Sequence, residues 1–139
     1  MNLLFMCVAN SARSQIAEGL AWVMASEMYP DTRVYSAGSA PSEVRLQAIE
    51  VMREIGVDIS AQWSKGVEAV PLEVIDVLIT LCAEEVCPVI PTIRHCLHWP
   101  IPDPAGHDEP YADQLERFRS AREEIQHRLD MFFTDPHLV

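Results

Sequence analysis

Short apolar runs alternate with amphipathic stretches along the 139-residue chain. Residues 2–6 form an apolar run that ends abruptly at Cys7, and residues 74–81 are almost continuously apolar and rich in β-branched side chains. The second run is typical of a central parallel strand that is covered on both faces. Shorter strands are predicted over residues 33–36, which a Ser-Ala-Gly turn closes, and near residues 94–98.

Between these runs, apolar residues recur every three or four positions and predict three helices. The first helix spans residues 13–28, and the second spans roughly residues 43–55, where Gly56 is a C-terminal stop. The third covers about residues 111–133. Because strands and helices alternate, the pattern favours an α/β sandwich with a parallel sheet.

The composition indicates an ordered globular protein that carries a strong negative charge. The chain is 49% apolar, and its 10 basic and 21 acidic side chains give a net charge of −11. Its length suits a single domain over residues 1–139. The charge argues against nucleic acid or an anionic membrane as a partner, because both need a basic face. No apolar stretch approaches the length of a membrane span.

Four cysteines are present, at positions 7, 82, 87 and 96. The apolar N-terminal run lacks a basic flank and is too short for a signal peptide, so it is interpreted as a buried strand. The cysteines are therefore expected to begin as thiols in the reducing cytoplasm and to be reactive or packing residues. Cys96 has no partner at a suitable spacing and is predicted to be a packing residue. The histidines show no ligand spacing, and neither a metal nor a cofactor is expected.

Cys7 begins a Cys-x5-Arg-Ser motif between the first strand and the first helix. The five intervening residues can wrap backbone N–H groups around an anion that sits at the helix N-terminus. The same field favours the thiolate form of Cys7, which is then a nucleophile. Arg13 can grip two oxygens of the anion and stabilise charge in the transition state, and Ser14 can donate a hydrogen bond to the thiolate. The predicted substrate-binding residues are Val8, Ala9, Asn10, Ser11, Ala12, Arg13 and Ser14.

The alternative interpretation of this motif is a buried cysteine at a strand end with a surface arginine nearby. A Cys-x5-Arg spacing by itself also occurs by chance. The strand–loop–helix context and the continuation Ser-Gln-Ile-Ala-Glu favour the functional interpretation.

Two further features follow the predicted central strand. Cys82 and Cys87 lie five residues apart, and they can either close on each other if a local helix unwinds or simply pack as small apolar residues. The irregular segment 98–110 carries four prolines, and a loop of this length in a small domain is usually functional or disordered. Within this loop Asp103 precedes a proline, where it can protonate a departing oxygen or only form a turn.

Together these motifs resemble the thioredoxin-coupled arsenate reductases, which share the fold of the low-molecular-weight tyrosine phosphatases. The resemblance extends almost end to end, through residues 7–18, 35–38, 58–60, 80–82, 98–99 and 103–105. It implies a three-layer α/β/α sandwich with a four-stranded parallel sheet. It also implies that Cys7 attacks arsenate while Arg13 and Ser14 bind the oxyanion and support the thiolate.

The same resemblance implies roles for the other cysteines. Cys7 forms an adduct with arsenate, Cys82 attacks it to release arsenite, and Cys87 resolves the Cys7–Cys82 bond. Thioredoxin is then the expected partner that reduces the Cys82–Cys87 disulfide, and phosphate or sulfate are expected as competing oxyanions.

Three alternatives stay open for this function. A small thiol such as mycothiol can replace thioredoxin as the reductant, although an internal resolving thiol makes an external one less necessary. The same scaffold can instead hydrolyse phosphomonoesters through a phosphorylated Cys7, or it can act as a non-catalytic arsenate- or redox-sensing module. Ala105 stands where the phosphatases carry a tyrosine, which weighs against a phosphotyrosine substrate.

The chain departs from the family pattern at two informative positions. Ala9 replaces a residue that is often glycine, and it fits only if its φ is negative. Some relatives bind potassium beneath the loop through positions that match Asn10, Glu18, Ser36 and an aspartate, which is Lys65 here. The hypothesis is that the Lys65 ammonium replaces the ion.

Overall fold

The computed structural model describes residues 1–83 and 90–135. Its strands are β1 (Asn2–Cys7), β2 (Arg33–Gly38), β3 (Val77–Thr80) and β4 (His95–His98). Its α-helices are α1 (Arg13–Met28), α2 (Leu46–Arg53) and α3 (Tyr111–Thr134), and short 3-10 helices span Val67–Ala69 and Leu72–Val74. The strands form one parallel sheet in the order β2-β1-β3-β4. The predicted α/β sandwich with a four-stranded parallel sheet is confirmed.

The two faces of the sheet are covered differently. Alternate residues of β1 and β3, such as Leu3, Phe5 and Ile79, pack in one cluster with side chains of all three α-helices. Their neighbours Leu4 and Leu78 point to the other face, where they pack with side chains from the 3-10 segments and the chain before β4. This period of two follows from strand geometry, and it explains why β1 and β3 have nearly continuous apolar sequences.

Element boundaries differ from the sequence prediction where tertiary pairing decides them. β3 is shorter than the apolar run 74–81, because its ladder with β1 extends only from Val77 opposite Leu3 to Thr80 opposite Met6. Residues 72–74 form a 3-10 helix instead. The second helix begins at Leu46 rather than near residue 43.

Cys96 corrects one prediction. It was expected to pack in the interior, but it is an exposed free thiol. Among the described strands its strand, β4, pairs with β3 alone and forms an edge of the sheet, and both histidines of this strand are also exposed. An edge position leaves a side chain uncovered unless another element packs over it.

All four strands end at the same edge of the sheet, because they are parallel. Cys7, the last residue of β1, lies opposite Gly38, the last residue of β2. Beyond β3, the Ile101 N–H donates to the Leu81 carbonyl at 3.1 Å, which ties the proline-rich loop to the strand end. The carboxyl edge of a parallel sheet is the usual place for ligands. Here this edge brings together the loop that follows Cys7, the chain after β3 that contains Cys82, and the proline-rich loop.

Candidate active site

The Cys7–Arg13 loop encloses a small cavity. Cys7 is buried at the end of β1, and α1 begins at Arg13 on the other side of the loop. The cavity has a volume of about 170 Å³. It is lined by Cys7, Val8, Ala9, Ser11, Ala12, Arg13 and Asp103. Asn10 and Ser14, also predicted to bind substrate, lie behind the cavity wall and are fully buried.

Arg13 is fixed on the far side of this cavity. Its Nη1 donates hydrogen bonds to the carbonyls of Ile101, at 2.9 Å, and Leu81, at 3.3 Å. Its Nη2 lies 3.8 Å from Asp103 Oδ2. The guanidinium is almost fully buried while the Asp103 side chain is about half exposed. A buried guanidinium anchored by carbonyls supplies the local positive field that an anion requires in a chain of net charge −11.

The two oxygens of the Asp103 carboxyl group have different surroundings. Its Oδ1 accepts a hydrogen bond from the Ala105 N–H at 3.0 Å, which is the turn expected of an Asp-Pro sequence. Its Oδ2 faces Arg13 and the cavity. The turn therefore leaves the second oxygen of the carboxyl group facing the cavity.

The loop backbone turns at Asn10 rather than at Ala9. Asn10 has a φ of 48°, and no other described non-glycine residue has a positive φ. Asparagine enters this left-handed region at lower cost than most residues. Ala9 therefore meets the condition of a negative φ, and the loop forms without glycine at that position.

A hydrogen-bond network lies directly behind the nucleophile. The Cys7 Sγ is 3.0 Å from the Ser14 Oγ. The Asn10 Nδ2 donates to the Ser14 Oγ at 2.7 Å and to the Ser36 Oγ at 3.0 Å. The predicted contact between Ser14 and the Cys7 sulfur is therefore present, and Asn10 links it to β2.

Lys65 extends this network on its outer side. Its Nζ donates to the Trp63 carbonyl at 3.0 Å and lies 3.3 Å from the Ser36 Oγ and 3.4 Å from Glu18 Oε1. The Ser36 hydroxyl donates to the same Glu18 carboxylate. The nearly buried ammonium thus contacts three oxygens. These residues do not fit a potassium site, because the lysine cation already contacts the oxygens of Glu18 and Ser36 that an ion would need.

Gly38 lies in close contact with the Cys7–Arg13 loop, although the sequence indicates only that it is part of a turn. An ideal Cβ built on Gly38 would lie 2.4 Å from the Val8 carbonyl oxygen and 2.9 Å from the Asn10 nitrogen. The loop therefore passes directly over the end of β2. Sequence spacing alone contains no signal for this contact, since it depends on the pairing of Cys7 with Gly38.

Cys82, a further predicted residue, lies next in the chain to a residue that Arg13 contacts. Cys82 is buried and follows Leu81, whose carbonyl accepts a hydrogen bond from Arg13. Cys82 is disulfide-bonded, whereas Cys7 is a free thiol. Cys87 lies outside the described residues, so its resolving role stays a prediction.

A larger cavity adjoins the Cys7–Arg13 loop, which we call the oxyanion loop, and the two meet at Asp103. It measures about 660 Å³ and lies between the proline-rich loop and α3. Asp103 borders both cavities, and Ala83, the neighbour of Cys82, borders the larger one. Space is thus available beside the loop for a group larger than an oxyanion.

Metal-ligating clusters and membrane-spanning helices are both absent from the described residues. Residues 1–83 and 90–135 contain no group of three or more histidine, cysteine, aspartate or glutamate side chains that could hold a metal ion. None of the helices in this part of the chain is long and apolar enough to cross a membrane.

The fold and loop define a class of protein: a parallel α/β domain that binds an oxyanion between a strand-end thiol and a buried arginine at a helix N-terminus. The family model described as low molecular weight phosphotyrosine protein phosphatase matches residues 2–136, and the chain belongs to this family. The resemblance stated from the sequence motifs is thereby confirmed.

Several relatives in this family are arsenate reductases. The arsenate reductase of Halalkalibacterium halodurans is 37% identical over 130 residues, which cover 92% of this chain and 91% of the relative. A solved structure described as an arsenate reductase in the phosphate binding state has a TM-score of 0.79 and 31% identity, covering 96% of this chain and 97% of that one. The thioredoxin-dependent arsenate reductase of Corynebacterium glutamicum has a TM-score of 0.72 and 30% identity, covering 99% of this chain but 62% of that one.

Proposed function

We propose that this protein reduces arsenate to arsenite in the cytoplasm, with Cys7 as the nucleophile and thioredoxin as the final reductant. The observation that carries the proposal is the Cys7 sulfur facing a small cavity whose far side is the buried Arg13 guanidinium. The arsenate reductases among its relatives supply the identity of the oxyanion. The phosphate-binding state of one of them supports a tetrahedral oxyanion as the ligand.

In the first step, the Cys7 thiolate attacks the arsenic atom of arsenate and one oxygen departs. Asp103 donates the proton that lets this oxygen leave as water. Arg13 neutralises charge on the oxygens that remain. The product is a covalent adduct between the Cys7 sulfur and arsenic(V).

The second step transfers two electrons. Cys82 attacks the Cys7 sulfur, the sulfur–arsenic bond breaks, and arsenic keeps the electron pair and leaves as arsenite. Cys87 then attacks Cys82, which frees Cys7 and forms a Cys82–Cys87 disulfide. A dithiol such as thioredoxin reduces this disulfide, and the thioredoxin-dependent relative supports that choice of reductant.

Phosphomonoester hydrolysis is the second candidate, favoured by the family to which the chain belongs. It requires only Cys7, Arg13 and Asp103, followed by attack of water on a phosphorylated Cys7. It leaves Cys82 and Cys87 without a role. We therefore propose it as a slow side activity rather than as the main function.

One pair of assays tests the proposal. Oxidation of reduced thioredoxin is followed with arsenate, and p-nitrophenyl phosphate hydrolysis is followed in parallel, for the natural protein and for Cys82→Ser. We expect Cys82→Ser to abolish arsenate turnover but to retain slow hydrolysis, because only the reduction needs the second thiol. Cys96→Ser is the matched control, since it changes an exposed thiol outside the site, and it should retain both activities.

Two outcomes would contradict parts of this proposal. If Cys82→Ser leaves both activities unaltered, Cys82 has no redox role and hydrolysis becomes the main function. If a small thiol such as mycothiol supports arsenate turnover and thioredoxin does not, the reductant is wrong although the reduction stands.

A further inference from the structure

We infer that Gln15 is a positioning residue for Cys7, because together with the Lys65 backbone N–H it holds the Asn10 amide from which a hydrogen-bond chain runs to the Cys7 sulfur. The inference rests on the proposed role of Cys7 as the nucleophile, but not on which oxyanion is its substrate. Gln15 is fully buried in α1 and lines no part of the oxyanion cavity. Its effect on the reaction must therefore pass through other residues.

The orientation of the Asn10 side-chain amide is the first step. The Lys65 backbone N–H points at the Asn10 Oδ1 from 2.9 Å. A backbone N–H can only donate, so the amide atom that faces it must be the oxygen. The Asn10 NH2 group then necessarily faces the hydroxyls of Ser14 and Ser36, at 2.7 and 3.0 Å.

The direction of the Ser14 hydroxyl follows from this. Ser14 Oγ accepts a hydrogen bond from the Asn10 NH2 group, and its own single hydrogen is free to go elsewhere. The Cys7 Sγ lies 3.0 Å away. A thiolate has no hydrogen and can only accept, so this arrangement directs the Ser14 hydrogen to the charged form of Cys7 and stabilises it.

Gln15 locks the Asn10 end of the chain. Its Nε2 lies 2.8 Å from the Asn10 Oδ1, 3.1 Å from the Asn10 carbonyl and 3.0 Å from the Trp63 carbonyl. All three partners are acceptors, so the Gln15 nitrogen must face them. Two of these bonds hold Asn10 itself, which is the residue with the unfavourable φ of 48°.

Gln62 determines the orientation of Gln15 in turn. Its Nε2 donates to the Gln15 Oε1 at 2.7 Å and to the Gln15 backbone carbonyl at 3.0 Å. The chain therefore runs from Gln62 through Gln15, Asn10 and Ser14 to Cys7, with a donor facing an acceptor at every link. Two uncharged glutamine side chains thus help to orient the Asn10 amide, and through it the Ser14 hydroxyl that faces the Cys7 sulfur.

The charged side chains near Cys7 are not links of the chain from Gln62 to Cys7, although Ser36 connects Asn10 to Glu18 and Lys65. Arg13 and Asp103 lie on the cavity side, and the pair formed by Glu18 and Lys65 lies on the outer side of Ser36. Replacing Gln15 by methionine removes the donor, keeps a side chain of similar length and leaves all four charges in place. A change in the thiolate population would therefore report the orientation of the chain.

The test measures alkylation of Cys7 by iodoacetamide, followed on its own peptide by mass spectrometry across a range of pH. For Gln15→Met we expect alkylation at neutral pH to slow on the order of tenfold, and the pH profile to move to higher pH by about one unit, since a hydrogen bond to a charged group is being weakened. Gln47→Met is the matched control, because the Gln47 Nε2 donates to the Gln114 Oε1 at 2.8 Å well outside the loop. It should leave the profile of Cys7 unchanged.

This assay needs neither arsenate nor thioredoxin. The proposed function can therefore fail while the inference stands, and the inference can fail while the proposed function stands. A folded Gln15→Met protein with the natural pH profile would overturn the inference. If Gln15→Met does not fold, the same alkylation assay on Gln62→Met tests the inference, because Gln62 is only half-buried and its loss should be tolerated better. A slower and shifted alkylation in that variant supports the inference, and an unchanged profile refutes it.

Discussion

Replacing Gly38 by alanine should damage the oxyanion loop more than it damages the fold. The new Cβ would lie 2.4 Å from the Val8 carbonyl oxygen, 2.9 Å from the Asn10 nitrogen and 3.0 Å from the Asn10 Cβ. A carbon–oxygen contact normally needs roughly 3.3 Å or more. The loop must therefore retreat by about 1 Å, because two of these atoms belong to the backbone and cannot rotate away.

The end of β2 cannot easily move instead of the loop. The Gly38 N–H donates to the Lys65 carbonyl at 2.9 Å, and Gly38 pairs with Cys7 across the sheet. A misplacement of about 1 Å in a catalytic site can cost about 100-fold in rate. We therefore expect kcat/KM for arsenate to fall on the order of 100-fold, with an overpacking cost of about 1–3 kcal/mol in the free energy of unfolding.

Three measurements separate these effects: arsenate-dependent oxidation of thioredoxin, protection of Cys7 from iodoacetamide by phosphate, and thermal unfolding. Gly19→Ala is the matched control. Its Cβ would meet three side-chain atoms and no loop backbone: the Ile59 Cγ2 at 2.6 Å, the Met52 Cε at 3.2 Å and, at an ordinary contact distance, the Gln62 Oε1 at 3.4 Å. This control should retain activity and phosphate protection. Natural kcat/KM and natural phosphate protection in Gly38→Ala would refute the argument from backbone crowding.

Three further predictions test other parts of the molecule. Asp103→Asn, which removes the acidic proton, should lower p-nitrophenyl phosphate hydrolysis about 100-fold while Cys7 alkylation is retained; undiminished hydrolysis would leave Asp103 only a turn residue. Exchanging sodium for potassium chloride should not change arsenate turnover, because the Lys65 ammonium already contacts the available oxygens; a clear rate increase would contradict this. Hydrogen bonds from Arg119 lower the pKa of the Glu54 carboxyl from 4.5 to about 2, so this group stabilises the fold above its ordinary pKa and loses that effect as the pH falls towards 2. The difference in melting temperature between the natural protein and Glu54→Gln should therefore shrink over that interval, and a constant difference would be evidence against it.

The parts of the fold that local sequence controls were predictable. The β1 strand, the loop and α1 follow from one continuous pattern, because the apolar run, the Cys-x5-Arg-Ser motif and the helix are neighbours in the chain. The third helix is also found within a residue of its predicted end, since its apolar spacing is regular over its whole length. The exposure of Cys96 was not predictable, because it depends on the place of β4 at the sheet edge.

The network behind the nucleophile could not be predicted from the sequence for the same reason. Gln15 lies inside the recognised motif, but its partner Gln62 is 47 residues away along the chain. The Lys65 N–H that orients Asn10 is 55 residues from it. Sequence spacing places such residues on loops with no indication of what they contact. The packing of residues 62–65 against the start of α1 brings the Gln62 amide to Gln15 and the Lys65 N–H to Asn10.

The start of α1 explains why binding and redox chemistry are separable in this site. Successive residues of a helix point about 100° apart, so Arg13, Ser14 and Gln15 face different surroundings. Arg13 faces the cavity, Ser14 contacts the Cys7 sulfur, and Gln15 holds the loop from behind. The side chains that face the cavity and the Cys7 thiol thus come mainly from one strand end and one helical turn, with Asp103 added by the proline-rich loop, whereas Cys82 follows a different strand. In the proposed mechanism hydrolysis needs only Cys7, Arg13 and Asp103, and reduction adds Cys82 and Cys87. Gln15→Met should therefore impair both activities, while Cys82→Ser should impair only the reduction.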